Sequence, residues 1–287
     1  MRRRLKEKLS TELSAEELRQ IYNSFDIVGD IAILKLAKGT AGAEAAAKQI
    51  MATHRGVKTV LAQTSAVRGD FRVRTLKLVT GVDRAVTRYR EAGCVFAVDV
   101  ERCYFSPRLS FERMRIARLV HSGETVVNMF AGVGCFSVII AKSAPQTTVY
   151  SIDISPAAVK YMEENVRVND VYGKVIPILG DAKEAIKAQL VGRADRVLMP
   201  LPEKAIEYLP YAISALKPAG GWLHIYDFQH AARHEKPCEK TKLAIAKELE
   251  GLGAGFDSVY CRVVRSTGPN WYQTVLDVHI NGVPSNF

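Results

Sequence analysis

Short apolar runs alternate with longer segments of helical periodicity over the C-terminal two-thirds of the chain. The runs predict strands at 125–130, 148–153, 175–180, 195–199 and 221–227. The segments between them predict helices at 111–120, 136–143, 156–168, 182–191, 203–216 and 238–250. Such alternation is typical of a parallel, doubly wound sheet. Two last runs, 257–266 and 271–280, flank a Thr-Gly-Pro-Asn turn and predict a terminal antiparallel hairpin.

The first third of the chain has a different pattern, dominated by short strands. Residues 1–22 predict a basic arm and one helix that Ser14 caps. Residues 24–34 predict a turn and a buried strand, and an alanine-rich helix is expected at 41–53. Further strands are expected at 57–62, 72–80 and 95–100. We therefore divide the chain into an arm and helix over 1–22, a small α+β domain over 23–105, and an α/β domain over 106–287.

Composition excludes several classes of protein. With 287 residues, 48% of them hydrophobic, the chain is long enough for two domains with full cores. No apolar run approaches the ~20 residues that span a bilayer, and the charged N-terminus precedes no apolar signal region. The five cysteines are scattered and include no CxxC pair, which predicts reduced thiols in the cytoplasm and no zinc site.

The chain carries a formal net charge of +10. A basic protein often binds a polyanion, because each phosphate that it neutralises releases counterions. A generally basic proteome would produce the same excess, so the charge alone does not identify a partner.

The most informative segment is an apolar run followed by a glycine turn, at 125–136. Gly132 and Gly134 let the backbone approach a ligand, and Asp153 ends the next apolar run. An acid at that place accepts hydrogen bonds from both hydroxyls of a ribose. The third glycine of the dinucleotide fingerprint is replaced by Ser137, so a pyrophosphate would be poorly bound.

Asp181, at the end of the following strand, favours a methyl donor over a hydride donor. Its carboxylate suits an adenine amino group, although the N-cap of the next helix is an equally ordinary place for an aspartate. Asp153 for ribose, Asp181 for adenine and the glycine turn for a methionine portion together fit S-adenosylmethionine. The predicted cofactor-binding residues are Phe130, Ala131, Gly132, Gly134, Asp153, Ile154, Asp181, Ala182 and Pro200.

Five segments share one family resemblance. The most specific is Tyr-Phe-Ser-Pro-Arg-Leu at 104–109 followed by Glu112 and Arg113, and the others are 24–33, 88–94, 128–134 and 271–277. Together they resemble the archaeal and eukaryal tRNA (guanine-37 N1)-methyltransferases. The resemblance implies a Rossmann-like class I methyltransferase that uses S-adenosylmethionine, with a C-terminal antiparallel hairpin and a small α+β RNA-binding domain before it. We expect a tRNA partner that presents position 37 of its anticodon stem-loop, and a cytoplasmic monomer without membrane or metal.

Three departures from the family pattern matter. Asn128 stands where the family usually has aspartate, which reduces charge near the ammonium group of the cofactor. Met-Pro-Leu-Pro at 199–202 replaces the usual Asn-Leu-Pro, and this resembles an archaeal subgroup that also methylates C7 of 4-demethylwyosine at position 37. The N-terminal domain that reads the outer corner of tRNA is reduced to residues 1–22. Guanosine and 4-demethylwyosine therefore both remain candidate target bases at position 37.

Guanine N1 carries a proton at neutral pH, so its methylation needs a base, and a cation near O6 to hold the developing charge. The resemblance implies Glu112 as this base, which we expect against an apolar wall, and Arg72 as the O6 partner. Simpler interpretations are an acid stabilised at a helix N-terminus for Glu112, and a phosphate contact or a solvated residue for Arg72. Arg74, two residues along the expected strand, is the rival of Arg72.

The remaining predicted substrate-binding residues are Tyr104, Arg108, Arg113 and Pro202. The tyrosine either stacks on a flipped nucleotide or packs in the core. The two arginines either clamp phosphates or pair with nearby acids, and Pro202 is expected to shape the base pocket together with Pro200. His224 is expected to be an ordinary structural residue.

Three other functions compete with methylation of tRNA position 37. A related transferase moves an aminocarboxypropyl group from the same cofactor but typically lacks the Ser-Pro-Arg-Leu segment. A non-catalytic RNA-binding protein of the same fold would not need Glu112, Asp153 and Asp181. An rRNA base methyltransferase usually shows an Asn-Pro-Pro-Tyr motif, which 199–202 is not.

Overall fold

The computed structural model describes residues 5–36, 42–65, 69 and 71–284. Contacts between residues divide the chain into two compact units, Met1–Pro107 and Arg108–Phe287. Among the described residues, no helix has both the length and the apolar character needed to cross a bilayer.

The first unit is an α+β fold. Its strands form a sheet of order β1-β2-β3-β4, in which β2 and β3 are parallel and the other pairs antiparallel, and a separate antiparallel pair of β5 and β6. Its elements are α1 Leu5–Leu9, α2 Ala15–Gln20, β1 Ile21–Val28, β2 Ile31–Leu36, α3 Ala43–Thr53, β3 Thr59–Gln63, β4 Leu76–Gly81, β5 Val86–Glu91 and β6 Cys94–Asp99. Leu5 and Leu9 are buried in the core against α3, so this part of the expected basic arm is packed helix.

The expectation of a turn and one strand over 24–34 was wrong, because this segment is a hairpin of two strands. Gly29 at its turn has φ +58°, and a Cβ there would lie 2.5 Å from the carbonyl oxygen of Arg88. Only glycine therefore fits. The strand expected over 72–80 begins at Leu76, and Arg72 has φ +50° in the turn before it. Arg72 and Arg74 are thus not on a continuous strand, and β5 was missed.

The second unit is a doubly wound α/β fold with a terminal hairpin, which confirms the predicted fold class. Its seven-stranded sheet has the order β12-β13-β11-β10-β7-β8-β9, and β13 runs antiparallel to both of its neighbours. Its elements are α4 Ser110–Leu119, β7 Thr125–Asn128, α5 Cys135–Ser143, β8 Thr148–Asp153, α6 Pro156–Val168, β9 Val175–Leu179, α7 Ala182–Gln189, β10 Arg196–Met199, α8 Ala205–Ala215, β11 Gly221–His230, α9 Pro237–Gly251, β12 Phe256–Gly268 and β13 Trp271–Ile280.

The parallel strands β7 to β10 bring the predicted cofactor residues to one edge of the sheet. Their register pairs β7 with β8 and β10, and β8 with β9. Since the carboxyl ends of parallel strands meet at the same edge, the loops after Asn128, Asp153, Leu179 and Met199 lie side by side there. Ligands of open α/β sheets bind at this edge.

Candidate active site

Asp153 joins the loops at the carboxyl edge of the sheet. Its Oδ2 accepts a hydrogen bond from the Gly132 amide at 2.7 Å, and its Oδ1 accepts one from the Ser155 amide at 2.9 Å. Its carbonyl oxygen accepts from the Gly180 amide at 3.0 Å. Burial raises the pKa of Asp153, although the two amide hydrogen bonds oppose the rise. Each carboxylate oxygen keeps acceptor capacity, so the group is placed to receive two hydroxyls.

The glycine turn ends in a residue that must be glycine. Gly134 has φ +84° at the N-cap of α5, and a Cβ there would lie 2.8 Å from Cγ of Met162. Ala131, on the other side of the turn, is buried with Met162 in a small apolar cluster. The turn therefore packs directly on α6, and its backbone is held close to Asp153.

Ser137, which stands at the position of the missing third glycine, makes hydrogen bonds that a glycine could not make. Its Oγ accepts hydrogen bonds from Asn128 Nδ2 at 3.1 Å and from Ser151 Oγ at 2.7 Å, so it links β7, β8 and α5. Among the described residues, Oδ1 of Asn128 is a buried acceptor that receives no hydrogen bond. This amide lies at the end of β7, where a cationic group of a ligand would find an acceptor.

Asp181 is the N-cap of α7, one of the two roles that its sequence position allowed, and it also contacts a tyrosine. Its Oδ1 accepts from the Lys183 amide at 2.8 Å as the N-cap of α7, and its Oδ2 accepts from the Tyr208 hydroxyl at 2.6 Å. The Tyr208 ring packs edge-on against Phe130, with the centroids 5.2 Å apart. Sequence reasoning missed Tyr208, because it lies on α8 among apolar residues and carries no motif.

The other predicted cofactor residues differ in accessibility. Ile154 is exposed, Ala182 is buried, and Pro200 is half-buried directly after β10. Pro202 is buried at the start of a short 3₁₀ turn, Pro202–Lys204. Asp153, the turn at Gly132 and the Phe130–Tyr208–Asp181 group together offer a ligand two acceptor carboxylates and an aromatic pair. Among the described residues, no group of His, Cys, Asp and Glu side chains is arranged to hold a metal ion.

Replacing Asp153 by asparagine should weaken cofactor binding at least ~10-fold. The amide cannot accept from both the Gly132 and Ser155 backbones, so one hydrogen bond of the loop is lost together with the charge. Calorimetric titration with S-adenosylmethionine measures the dissociation constant. Asp170→Asn, at an exposed turn residue, is the matched control. Equal constants for the wild type and Asp153→Asn would remove Asp153 from the binding site.

Glu112 lies in a cluster of charged side chains and not against the expected apolar wall, which corrects that expectation. The side chain is 1% exposed in the first turn of α4. Its Oε1 accepts from the Arg115 Nη2 at 2.8 Å and from the Tyr226 hydroxyl at 2.8 Å. Its Oε2 accepts from the Arg262 Nη1 at 3.0 Å and from the Arg115 Nε at 3.1 Å. The carboxylate is therefore fully hydrogen-bonded by two guanidinium groups and a phenol.

Beyond Glu112 the cluster continues across the neighbouring strands β13, β11 and β10. Arg115 also donates to both carboxylate oxygens of Asp277, at 2.5 and 3.1 Å. His224 lies 2.6 Å from Asp277 through Nδ1 and 2.6 Å from the Arg196 Nη1 through Nε2. Because arginine only donates, Nε2 accepts and Nδ1 donates to Asp277. His224, expected to be an ordinary structural residue, is thus a neutral link in a buried network.

The network also shifts three pKa values. Burial lowers the pKa of His224, and although the contact with Asp277 opposes this, the charges of Arg196 and Arg115 add to it. Burial would raise the pKa of Asp277, but hydrogen bonds from His224 and Arg115 lower it to about 2. Burial and the charge of Glu112 raise the pKa of Tyr226 well above its ordinary value. At neutral pH the network therefore holds a neutral imidazole, an ionised Asp277 and a protonated phenol.

The lowered pKa of His224 predicts a pH dependence of stability. An unfolded histidine has a pKa of ~6.5, so below that pH the unfolded chain binds a proton that the folded chain does not. The free energy of unfolding should therefore fall as pH drops below ~6.5, by up to ~1.4 kcal/mol per pH unit from this residue. Urea unfolding at several pH values measures the slope. His224→Asn should flatten it, and His234→Asn, at an exposed residue, should not. Identical slopes for all three proteins would contradict this assignment.

The glycine turn and the Glu112 cluster are connected within the second unit. The ring of Phe136, in the first turn of α5, packs edge-on against Tyr226 with centroids 6.2 Å apart. Tyr226 is the phenol that donates to Glu112. Phe136 and Tyr226 therefore connect the start of α5, which follows the glycine turn, to Glu112.

The remaining predicted substrate residues lie in different surroundings. In the first unit, the Arg72 guanidinium lies over the Tyr104 ring, 4.3 Å from its centroid. Arg74 instead donates to Gln63 at 3.4 Å. In the second unit Arg108 is exposed, whereas Arg113 is buried, where a charged side chain needs polar partners. Of the two roles expected for Arg113, its burial favours pairing with nearby acids over a phosphate clamp.

Comparison with known proteins identifies related sequences along nearly the whole chain. The family model of the TRM5/TYW2 methyltransferase domain matches residues 87–251, and that of the TYW2 N-terminal domain matches residues 5–84. The tRNA (guanine(37)-N(1))-methyltransferase Trm5b of Pyrococcus abyssi is 37% identical over 93% of this chain and 78% of its own length. The tRNA 4-demethylwyosine(37)-methyltransferase Taw21 of Saccharolobus solfataricus is 34% identical, over 93% of this chain and 97% of its own length.

A solved structure is similar to this chain over nearly its whole length. The complex of aTrm5 with tRNALeu contains a chain that superposes with a TM-score of 0.83 at 31% identity, covering 97% of this chain and 78% of that one. The resemblance inferred from the sequence is therefore confirmed, both for the methyltransferase fold and for the domain before it. The chain belongs to the TRM5/TYW2 methyltransferase family.

Proposed function

We propose that this chain transfers the methyl group of S-adenosylmethionine to N1 of guanosine 37 in tRNA. One observation carries this proposal: the same α/β unit contains both a candidate nucleoside site at Asp153 and a buried carboxylate, Glu112. The activity named for Trm5b of Pyrococcus abyssi, at 37% identity, supports the same reaction. The aTrm5 complex supports tRNA as the substrate.

The reaction requires that a proton leave N1 as the new bond forms. The bound cofactor would supply an electrophilic methyl group, whose bond to sulfur breaks as the bond to N1 forms. Glu112 is proposed to take the N1 proton, and Arg72 to stabilise the charge that develops on O6. Tyr104, stacked under Arg72, is proposed to support this arginine and to contact the target base.

Asp153, Asp181 and the glycine turn are proposed to hold the cofactor. The ribose hydroxyls would donate to Asp153, and the adenine amino group to Asp181, whose orientation Tyr208 fixes. Phe130, packed on Tyr208, and Pro200, directly after β10, would border the adenine and the target base respectively. Asn128 would meet the ammonium group of the methionine portion with its buried Oδ1.

The test is a methylation assay followed by identification of the product. A tRNA transcript with guanosine at position 37 is incubated with the chain and S-adenosylmethionine, digested to nucleosides and analysed by mass spectrometry. We expect 1-methylguanosine, and none from a matched transcript with adenosine at position 37. An aminocarboxypropyl adduct would support the rival transferase, and unmodified RNA with bound cofactor would support a non-catalytic RNA-binding protein.

A second reaction, methylation of C7 of 4-demethylwyosine at position 37, is favoured by two observations. Pro200 takes the place of the asparagine in the usual Asn-Leu-Pro after β10, and Taw21 of Saccharolobus solfataricus, named for this reaction, aligns over 97% of its length. Transfer RNA that carries 4-demethylwyosine should gain one methyl group. No gain of mass would restrict the enzyme to guanosine.

The proposal includes a monomer that acts in the cytoplasm. Light scattering of the purified chain, with and without tRNA, measures its molar mass and so tests whether it is a monomer. A constant dimer mass in both samples would contradict it.

A further inference from the structure

Two exposed aromatic side chains lie beside the two arginines that bind Glu112. Phe111 in the first turn of α4 is 66% exposed, and Tyr260 on β12 is 47% exposed. The Arg262 guanidinium lies over the Phe111 ring, 4.7 Å from its centroid, and the Arg115 guanidinium lies 5.5 Å from the Tyr260 centroid. Large exposed aromatic groups beside guanidinium groups indicate a contact surface. Phe111, Tyr260 and Arg262 are called the aromatic–arginine surface below.

The charge of this region points to the chemistry of its partner. Arg262 and Arg265 lie on β12, and the two acids closest to this surface, Glu112 and Asp277, are buried and not presented to a partner. Phe111 and Tyr260 are exposed at and beside β12, the edge strand of the seven-stranded sheet, so another molecule can reach them. Guanidinium groups bind phosphates, and aromatic rings stack on bases of any sequence. Rings and positive charge together match an unpaired stretch of RNA better than an apolar protein surface.

We propose that the aromatic–arginine surface binds an unpaired nucleotide of the tRNA substrate. Its base would stack on Phe111 or Tyr260, and its phosphate would accept hydrogen bonds from Arg262. This proposal rests on the tRNA methyltransferase function proposed above, and assigns part of the RNA contact to the second unit itself.

The same arginine connects RNA binding with Glu112. Arg262 donates to Oε2 of Glu112 at 3.0 Å, and its side chain is 23% exposed whereas that of Glu112 is 1% exposed. A phosphate on the surface competes with Glu112 for this guanidinium. When Arg262 turns to the phosphate, Oε2 keeps the donor Arg115 and regains one lone pair. Oε2 is then free to take a proton, so Arg262 acts as a positioning residue that couples RNA binding to the base.

Substitution of the two aromatic residues tests the stacking. At least one of the variants Phe111→Ala and Tyr260→Ala should raise the Kd for a fluorescein-labelled tRNA transcript by about 5- to 100-fold, according to which ring the base stacks on. The Kd for S-adenosylmethionine should stay unchanged. Tyr172→Ala, at a tyrosine that is 86% exposed beside the opposite edge strand β9, is the matched control and should bind tRNA like the wild type. Unchanged tRNA affinity in both test variants would overturn the proposal.

Substitution of Arg262 tests the phosphate contact. Arg262→Gln should reduce the slope of log Kd against log salt concentration by about 1, and Arg262→Lys should keep the slope of the wild type. An unchanged slope in Arg262→Gln would show that Arg262 meets no phosphate and would end the proposed coupling. Because Kd is measured without turnover, this result is separate from failure of the proposed function, which would appear as an unmethylated transcript with the wild-type chain.

Discussion

Replacing Arg115 by methionine is expected to lower the free energy of unfolding by ~3–5 kcal/mol. Arg115 donates to Glu112 and Asp277 at once, and both carboxylates are nearly inaccessible to water. Methionine fills much of the same volume, so the main loss is the shared cation. Two buried carboxylates would then lie close together, with Arg262 and Tyr226 as the remaining partners of Glu112 and His224 as that of Asp277. Urea unfolding followed by circular dichroism measures the change.

Lys204→Met is the matched control for this measurement. Lys204 pairs with Glu207 at 2.9 Å, but both side chains are well exposed, so the pair contributes at most ~0.5 kcal/mol. A loss in Arg115→Met as small as that in the control would contradict the role of the buried network. It would mean that the two carboxylates become protonated or reach water at little cost.

The doubly wound part of this fold follows from the sequence, because its signals are local. β8 and α6 begin and end where their apolar patterns predict, since a short buried run and an amphipathic helix are each encoded by neighbouring residues. The glycine turn and the two aspartates after β8 and β9 are also local features. Their convergence at one sheet edge follows from parallel topology alone.

The network around Glu112 was not predictable in the same way. Arg262 and Asp277 reach the cluster from the terminal hairpin, whereas Glu112 and Arg115 lie on the first helix of the unit. No periodicity records a contact over such a separation in sequence, and each residue separately resembles an ordinary surface charge. Sequence reasoning therefore selected Glu112 as a candidate base but expected the wrong surroundings for it.

The first unit was harder to predict for another reason. Its segments are short, so a turn at a single residue changes which secondary structure they form. Gly29 turns what read as one strand into a hairpin, and Arg72, with its positive φ, lies in a turn, so the strand expected from this residue begins only at Leu76. The stacking of Arg72 on Tyr104 depends on this turn, so the sequence spacing of Arg72 and Arg74 carried no information about it.

Replacing Glu112 by glutamine is expected to reduce methyl transfer to guanosine 37 by ~10²–10⁴-fold, the usual contribution of a general base. Because Glu112 also binds Arg115 and Arg262, a loss of turnover alone would not separate a lost base from a disturbed fold. The two explanations differ in their pH dependence. If the base is missing, hydroxide can remove the N1 proton, so the single-turnover rate of Glu112→Gln should rise ~10-fold per pH unit between about pH 7 and 9. The wild-type rate should stay nearly level over the same range.

Asp277→Asn provides the control, because it disturbs the same network through Arg115 and leaves the proposed base in place. It should lose stability without the rise in rate at high pH. Turnover of Glu112→Gln equal to that of the wild type would end the assignment of Glu112 as the base. A low rate that does not increase with pH would assign Glu112 to the structural network alone, since added hydroxide would then have no missing step to replace.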